Sequence, residues 1–178
     1  KFEHPGGAEV VLTMLFADIR GSTRLASSMS ALEFSRLINR FYTVASDVLV
    51  NADAMVDRLV GDEAVGLFIP GLAGPDHARK AVHAAQSLLQ QTVTAVGVGV
   101  HPGLAFVGVV GGDENRPTDF AALGDNVNIT ARLASQAAAG EILVSESTFT
   151  AAGLDARQAA HREVEIKGKS EPLGVWVF

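Results

Sequence analysis

The sequence predicts an α+β fold, because apolar runs of strand length alternate with a longer segment whose apolar residues recur at helical spacing. The chain opens with a strand-like run at 9–18, and segment 31–50 then places apolar side chains three and four residues apart. Two short apolar runs follow at 54–60 and 64–69, joined by a tight turn at Gly61-Asp62. This order predicts a sheet with a helix packed on it.

The middle of the chain continues the alternation. A Gly-Pro loop precedes a predicted helix at 76–91. The run 93–101 alternates with glycine, pauses at Pro102-Gly103 and resumes at 104–110, which predicts a pair of strands. The stretch 111–119 is rich in Gly, Asp, Asn and Pro and predicts a loop.

The C-terminal part adds further helices and strands. A helix is predicted at 126–136, with Asp125 suited to cap its free N–H groups. The remaining predicted elements are a strand at 141–144, a short helix at 145–152 and closing strands at 161–167 and 173–178. We therefore expect a single domain over 1–178, with a core from about 9 to 178. Its order predicts a ferredoxin-like palm (βαββαβ) sheet with helices on one face and a C-terminal extension.

Composition limits the classes of function. The 178 residues with 48% hydrophobic content suit one compact domain. The formal net charge of -6 argues against nucleic acid as a partner, since proteins that bind it usually carry a clustered basic face. A compact anionic substrate that arrives with divalent cations is compatible with this charge.

Cysteine content and hydropathy indicate where the domain works. The chain has no cysteine, which excludes disulfides and thiolate metal sites and suits a reducing, cytoplasmic setting. No apolar stretch reaches the roughly 18 to 20 residues of a membrane helix, so we expect no membrane contact by this domain. Because the chain begins at Lys1 rather than at a methionine, we expect it to be the cytosolic domain of a larger protein.

The end of the first predicted strand carries the most informative residues. Asp18 ends the apolar run and leads into the small, amide-rich turn 19–23. Backbone N–H groups of such a turn can converge on anionic oxygens, and a glycine lets the backbone approach closely. Gly-Ser-Thr can also simply cap a helix, and the missing Walker A lysine excludes a P-loop. The candidate phosphate-binding residues are Gly21, Ser22 and Thr23.

A second acid, Asp62, stands in the turn between the two central strands. In a palm-like sheet the first strand lies beside this hairpin, so Asp18 and Asp62 are expected to meet. Two carboxylates at close range repel each other unless a cation bridges them. Taken singly, Asp18 is equally a strand-end acid near solvent and Asp62 a turn residue; together they predict a site for two Mg²⁺ ions and a phosphate chain.

Asn128 and Arg132 form a second candidate pair on the helix predicted at 126–136. Residues four apart project from one face of a helix, so both can reach one ligand. Arginine there would neutralise charge on a transferring phosphoryl group, and asparagine would orient a ribose or a phosphate oxygen. An isolated arginine is also commonly a solvated surface residue.

Four motifs together resemble the class III nucleotidyl cyclase catalytic domain. They are, in order, Phe16 to Thr23, Gly61-Asp62, Gly124 to Leu133 and Glu165 to Lys169. The resemblance covers about 9–178 and includes the order and spacing of the motifs. It implies an adenylate or guanylate cyclase that works as a homodimer, with each active site shared between two protomers.

The resemblance also implies a role for individual residues. Two Mg²⁺ or Mn²⁺ ions per site would bind to three groups, namely Asp18, Asp62 and the backbone carbonyl of Ile19. Asn128 and Arg132 of the other protomer would stabilise the transition state, and Lys167 would contact the terminal phosphates. Activation of the ribose 3′-hydroxyl by a metal and charge compensation by arginine fit this reaction physically.

The two positions that select the base depart from the family pattern. They are Arg58 and Ala121, where adenylate cyclases typically have Lys with Asp or Thr, and guanylate cyclases Glu with a Cys-like residue. Arg58 donates hydrogen bonds only, so it suits adenine N1 and also guanine O6 and N7, while Ala121 offers no side-chain hydrogen bond. We expect ATP as substrate because the guanine-favouring Glu is missing. A guanylate or dual-specificity cyclase, or a weakly active nucleotide-binding regulatory module, is the alternative.

Two further motifs have simpler explanations. Gly111-Gly112-Asp113-Glu114 is similar to a diguanylate cyclase signature, but it falls in a polar loop where a hairpin connection is expected, so turn formation is the better explanation. His101 has no second His or Cys at metal spacing, and a structural role at a strand end is favoured.

Overall fold

The computed structural model describes residues 6–110 and 119–178. The strands are β1 Gly7–Ile19, β2 Met55–Val60, β3 Glu63–Phe68, β4 Val96–Val110, β5 Asp119–Leu123, β6 Ile142–Ser145, β7 Ala160–Val164 and β8 Leu173–Val177. The helices are α1 Ser22–Ser28, α2 Ala31–Asn51, α3 Pro70–Ala73, α4 His77–Gln91, α5 Asp125–Gln136 and α6 Glu146–Ala152. A 3₁₀ turn covers Ala156–Gln158.

The strands form one mixed sheet in the order β2-β3-β1-β4-β6-β8-β7, with β5 paired to β4. The first four strands pair antiparallel, as the βαββαβ order predicts, and the β4–β6 pair is parallel. β1 lies between β3 and β4, so its C-terminal end is fixed from both sides. The predicted α+β palm is confirmed.

Helices α2 and α4 of the βαββαβ core pack on one face of the sheet, and α5 of the extension packs on the other. Alternate residues of β1 therefore face different helices: Leu15 and Ala17 lie in the core with α2 and α4, whereas Phe16 lies in the core with α5. Helix α5 lies very close to β4. A Cβ placed on Gly99 would come within 2.5 Å of the Ala134 nitrogen, and one on Gly97 within 2.8 Å of the Ala137 carbonyl, which explains the glycines at these two positions.

The predicted strand pair around Pro102-Gly103 is wrong, because β4 runs unbroken from Val96 to Val110. Pro102 stands opposite Thr13 of β1 and Gly103 opposite Leu12, so pairing with β1 continues through both residues. On its other edge β4 pairs with β6 only at 98–100 and with β5 only at 106–110. The proline thus lies where a missing N–H removes no bond on that edge.

Two local predictions near α5 also need correction. The sequence predicts no element between the loop at 111–119 and the helix at 126–136, but residues 119–123 form strand β5 and pair with β4. The N-cap of α5 is Gly124, and Asp125 lies in the first turn, where its carboxylate pairs with Lys169. Within residues 6–110 and 119–178, no helix combines the length and apolar character that a membrane span requires.

Candidate active site

Strand pairing brings the two candidate acids together. Asp18 stands opposite Glu63 in the β1–β3 register, and the Ile19 N–H donates to the Asp62 carbonyl at 2.9 Å. The turn that carries Asp62 contains Gly61 at φ 59°, a conformation that glycine adopts without strain. The Tyr42 hydroxyl donates to the Gly61 carbonyl at 2.5 Å and ties this turn to α2. These hydrogen bonds thus hold the turn that carries Asp62 beside the end of β1 that carries Asp18.

The Asp18 carboxylate is poorly compensated for a charged group. Its Oδ2 accepts from Arg20 Nη2 at 3.2 Å, while its Oδ1 is buried with no partner among the described residues. Burial raises the pKa of Asp18 to about 6; the carboxylates of Glu63 and Asp62 add to the shift, and Arg20 opposes it. A bound cation would satisfy this oxygen and favour the ionised form.

Asp62 is oriented by a neighbour from the adjacent turn. Ser22 Oγ donates to Asp62 Oδ2 at 2.6 Å, which fixes one carboxylate oxygen and leaves the other available. Ser22 is the first residue of α1, directly after Gly21, whose φ of 70° turns the chain from β1 into the helix. The Ser22 hydroxyl is therefore already hydrogen-bonded to the second acid, Asp62.

The donor set fits Mg²⁺ or Mn²⁺. Asp18, Asp62 and the Ile19 carbonyl offer oxygen ligands, and Mg²⁺ usually binds through one or two carboxylates together with substrate phosphates. The unpartnered, buried oxygen of Asp18 is the structural feature that a cation would complete. In the part of the chain that the structure describes, no group of three or more His, Cys, Asp or Glu side chains is placed to hold a metal ion.

A cleft opens beside the acids. It has a volume of about 600 Å³ and lies between α1, α2 and the β2–β3 turn. Ser22, Thr23 and Asp62 form the end near the acids, and Phe34 and Ile38 of α2 form an apolar wall. This space is large enough for a phosphate chain next to the metal ligands.

The second candidate pair lies on the exposed side of α5. Asn128 and Arg132 are exposed, whereas Ile129 and Leu133, one residue further along, are buried. Because the buried side of α5 rests on the sheet, the side chains of Asn128 and Arg132 point away from it. They are thus presented to a partner outside this packing.

Lys167 lies with α5 rather than with the acids. It belongs to the loop between β7 and β8, which is bonded to both ends of the helix. Gln136 Nε2 donates to the Glu165 carbonyl at 2.9 Å, and the Lys169 ammonium pairs with Asp125. The structure places Lys167 in a separate polar pocket formed by residues 165–172.

The base-selecting candidates lie on two strands that do not pair with each other, β2 and β5. The pairing of β2 with β3 shifts between Val56 and Arg58, which marks a bulge at Asp57. The Arg58 side chain is 46% exposed, and its Nη2 lies 4.0 Å from Asp57 Oδ2. Ala121 lies in β5 opposite Gly108 of β4. The diguanylate-cyclase-like residues 111–114 lie outside the described residues.

Two charged residues at this site were missed by sequence reasoning. Asp57 has a side chain only 3% exposed and an Oδ1 with no partner among the described residues, and burial raises its pKa against the influence of Arg58. Arg20 donates to Asp18 and to carbonyls at the end of α5. The sequence gives no indication of the contacts between Arg20 and α5, because the acceptors are backbone carbonyls more than one hundred residues away.

His101 has a structural role, as expected, although it lies within β4 rather than at a strand end. It is buried, with Nδ1 2.8 Å from Ser145 Oγ and Nε2 2.9 Å from Asn126 Oδ1. Asn126 Nδ2 donates to the Leu104 carbonyl, so its Oδ1 accepts from His101 Nε2. Burial lowers the pKa of His101, in keeping with a neutral ring that joins β4, β6 and α5.

Comparisons with known proteins show what this chain is similar to. A sequence model of the adenylate and guanylate cyclase catalytic domain matches residues 8–178. A Mycobacterium tuberculosis protein described as uncharacterized is 29% identical over 94% of this chain and 32% of its own length. Two solved structures are similar: the adenylyl cyclase CyaB from P. aeruginosa (TM-score 0.85, 25% identity, 97% of this chain and 95% of that one) and the guanylyl cyclase Cya2 (0.83, 28%, 97% and 93%). The chain spans about a third of the mycobacterial relatives it matches.

Proposed function

Because the chain belongs to the adenylate and guanylate cyclase catalytic domain family, we propose that it converts ATP to 3′,5′-cyclic AMP and pyrophosphate as a homodimer dependent on Mg²⁺ or Mn²⁺. The observation that carries this proposal is the position of Asp62 beside the end of β1, where its carbonyl accepts from the Ile19 N–H, together with the buried, unpartnered Oδ1 of Asp18 among the described residues. Such a pair supplies the ligands that a phosphate-bound cation still needs.

The acid half of the site would bind the metal ions and the phosphates. When bound, the metals lower the pKa of the ribose 3′-hydroxyl and stabilise charge on the α-phosphate. Asp18, Asp62 and the Ile19 carbonyl would hold them, with Ser22 orienting Asp62. The turn Gly21-Ser22-Thr23 and the adjoining cleft would receive the phosphate chain.

The helix half of the site would come from the partner protomer. Asn128 would orient the ribose or a phosphate oxygen, and Arg132 would compensate the charge that develops as pyrophosphate leaves. Lys167 would contact the terminal phosphates from the loop bonded to α5. The exposure of Asn128 and Arg132 supports this sharing, because side chains directed away from their own sheet are free to reach a second chain.

The residue at the first base-selecting position, Arg58, favours ATP. Arg58 can donate to adenine N1, and no Glu stands at position 58 to accept from guanine. A guanylate or dual-specificity cyclase is the second candidate, since arginine also reads guanine O6 and N7 and a solved guanylyl cyclase is similar to this chain.

Product identification tests the reaction and the base together. The purified chain is incubated with Mn²⁺ and either ATP or GTP, and the products are separated by chromatography, with Asp62→Asn as the inactive control. We expect cyclic AMP from ATP at a higher rate than cyclic GMP from GTP. Faster cyclic GMP formation would reverse the base assignment. Thermal stabilisation by nucleotide without a cyclic product would indicate a binding module instead.

Mixed dimers test the shared site. Asp62→Ala lacks a metal ligand and Arg132→Ala lacks the transition-state arginine, so each is expected to be inactive alone. A dimer of one with the other contains one site in which both residues are intact, and cyclase activity should return. Verified mixed dimers without activity would show that the site is not shared in this way.

A further inference from the structure

Arg20 forms a bridge between the metal ligand and helix α5. Its Nη2 donates to Asp18 Oδ2 at 3.2 Å, and its Nη1 donates to the Ser135 carbonyl at 2.8 Å and the Ala137 carbonyl at 3.2 Å. Its own backbone N–H donates to the Ala95 carbonyl at 2.8 Å, which anchors the residue at the end of β1. One guanidinium thus joins the Asp18 carboxylate to the C-terminal end of α5.

The helix end is a favourable partner for this cation. The last carbonyls of a helix lack intrahelical partners and carry the negative end of the helix dipole. Ser135 and Ala137 are the penultimate residue and the C-cap of α5. The Arg20 side chain is 24% exposed, so these bonds are partly shielded from water. A planar fork of five donors reaches both partners at once, which a lysine ammonium does not.

We propose that Arg20 is a positioning residue that fixes the Asp18 carboxylate to the last turn of α5 and thereby couples the two active sites of the dimer. This inference rests on the proposed function. In a shared site, Asp18 of one protomer serves one active site while α5 of the same protomer serves the other. Arg20 therefore lies on the direct connection between them.

The bridge has two separable consequences. At Asp18, Arg20 holds Oδ2, while Oδ1 is buried and has no partner among the described residues. At α5, it fixes the C-terminal turn, and Arg132 lies one turn before Ser135 on the same rigid helix. A change in the position of the carboxylate is thus transmitted to the helix that presents Asn128 and Arg132.

Hydrogen exchange of the whole chain without nucleotide tests the bridge itself. Arg20→Lys keeps the charge but removes the fork, and we expect about tenfold faster exchange of the amides at 133–137, with the start of α4 unchanged. The control is Arg162→Lys, which alters another arginine that joins two segments, through Glu141 at 3.1 Å. Unchanged exchange at 133–137 would overturn the proposal. Should Arg20→Lys fail to fold, Arg20→Gln replaces it in the same measurement.

Mn²⁺ binding distinguishes whether Arg20 positions Asp18 or acts on it only through its charge. Free Mn²⁺ is measured by electron paramagnetic resonance in the presence of 3′-deoxy-ATP, which lacks the attacking hydroxyl. If Arg20 positions Asp18, Arg20→Lys weakens Mn²⁺ binding about tenfold, in the range seen when outer partners of metal ligands are changed. If Arg20 acts only through its charge, Arg20→Lys leaves the affinity unchanged, and the proposal is wrong.

Mixed dimers test the coupling between sites. In the active pair of Asp62→Ala with Arg132→Ala, the working site takes its acids from the Arg132→Ala protomer and its Asn128 and Arg132 from the Asp62→Ala protomer. Arg20→Lys is then added to one protomer at a time. In the protomer that gives the acids it should raise the Mn²⁺ requirement. In the protomer that gives the helix it should lower kcat about tenfold with the Mn²⁺ requirement unchanged.

Arg20→Lys in the protomer that gives the helix is the decisive variant. There Arg20 reaches the working site only through α5, so an unchanged kcat would overturn the coupling. Arg162→Lys in either protomer should leave both parameters unchanged. An inactive parent pair would instead contradict the shared site, and the exchange and Mn²⁺ measurements would still judge the bridge.

Discussion

The strand-end acids and the helix pair differ in how much of their surroundings this chain supplies. Asp18 and Asp62 are fixed by β1–β3 pairing, by Ser22 and by Arg20, and Asp18 is largely buried. Asn128 and Arg132 are exposed on the outer side of α5. Under the proposed function, an acid pair fixed within one chain would be completed by the exposed helix pair of a second copy.

The two pairs also differ in how much they cost the stability of the fold. A buried carboxylate with an unpartnered oxygen destabilises the fold, because its lost hydration is not replaced. Exposed polar side chains carry no such cost. Asp18 therefore carries a cost to folding that Asn128 and Arg132 do not.

The largest expected effect comes from the acid half. Asp18→Asn keeps the shape of the side chain but removes its charge, and several kcal/mol of metal stabilisation would lower turnover by about a thousandfold. Without metal, the same variant should melt at a higher temperature than the wild type, because a poorly compensated buried charge is gone. Turnover and melting are measured beside Asp47→Asn, an exposed acid of α2. Full turnover in Asp18→Asn would refute the metal assignment.

The helix half should give a smaller, purely kinetic effect. Arg132→Lys keeps the charge but loses the fork that matches phosphate oxygens, and we expect kcat to fall about a hundredfold with KM nearly unchanged. The melting temperature should not move, because Arg132 is exposed. Steady-state kinetics with ATP and Mn²⁺ checks this. A rise in KM alone would assign Arg132 to substrate binding rather than to the transition state.

Sequence reasoning found the acids because their meeting follows from topology. An apolar strand, a helix and a hairpin in βαββαβ order leave few alternatives for where the strand end lies. It failed at Pro102-Gly103, where a local turn signal was outweighed by continuous pairing of β4 with the thirteen residues of β1. It also missed the five-residue strand β5, since so short a run beside a polar loop carries little periodicity.

The contacts of Arg20 lie beyond what the sequence reveals. Its acceptors at Ser135 and Ala137 are carbonyls, which every residue carries, so no residue type marks them. The bulge at Asp57 was equally hidden, because no glycine or proline announces it. Positions that follow from the order of strands and hairpins were predictable here, whereas contacts that depend on long-range backbone geometry were not.

Ser22 tests how strongly the acid half depends on its supporting bonds. Ser22→Ala removes the 2.6 Å bond to Asp62, and we expect about a tenfold higher Mn²⁺ requirement with a smaller change in kcat. Ser27→Ala is the matched control, because Ser27 lies on the same helix and, among the described residues, bonds only the Arg24 carbonyl. Equal Mn²⁺ requirements in the two variants would mean that Asp62 needs no orientation.

Asp57 can be compared with Asp18, because it is a buried carboxylate outside the proposed metal site. Burial raises its pKa in the folded chain, so the folded state holds the proton more tightly than the unfolded state, whose pKa is near 3.8. Stability therefore falls as pH rises from the unfolded pKa through the folded one. Asp57→Asn should raise the melting temperature at pH 7 by roughly 2–4 °C, as about 1 kcal/mol would.

The gain from Asp57→Asn should disappear below the unfolded pKa, where the wild-type carboxyl is protonated in both states. Melting is followed at pH 7 and near pH 3.5 on Asp57→Asn, with Asp47→Asn as the exposed control. A stabilisation that persists at low pH would come from packing rather than from charge. A loss of stability at pH 7 would mean that Asp57 is ionised and paired, and that burial at this bulge differs in kind from burial at Asp18.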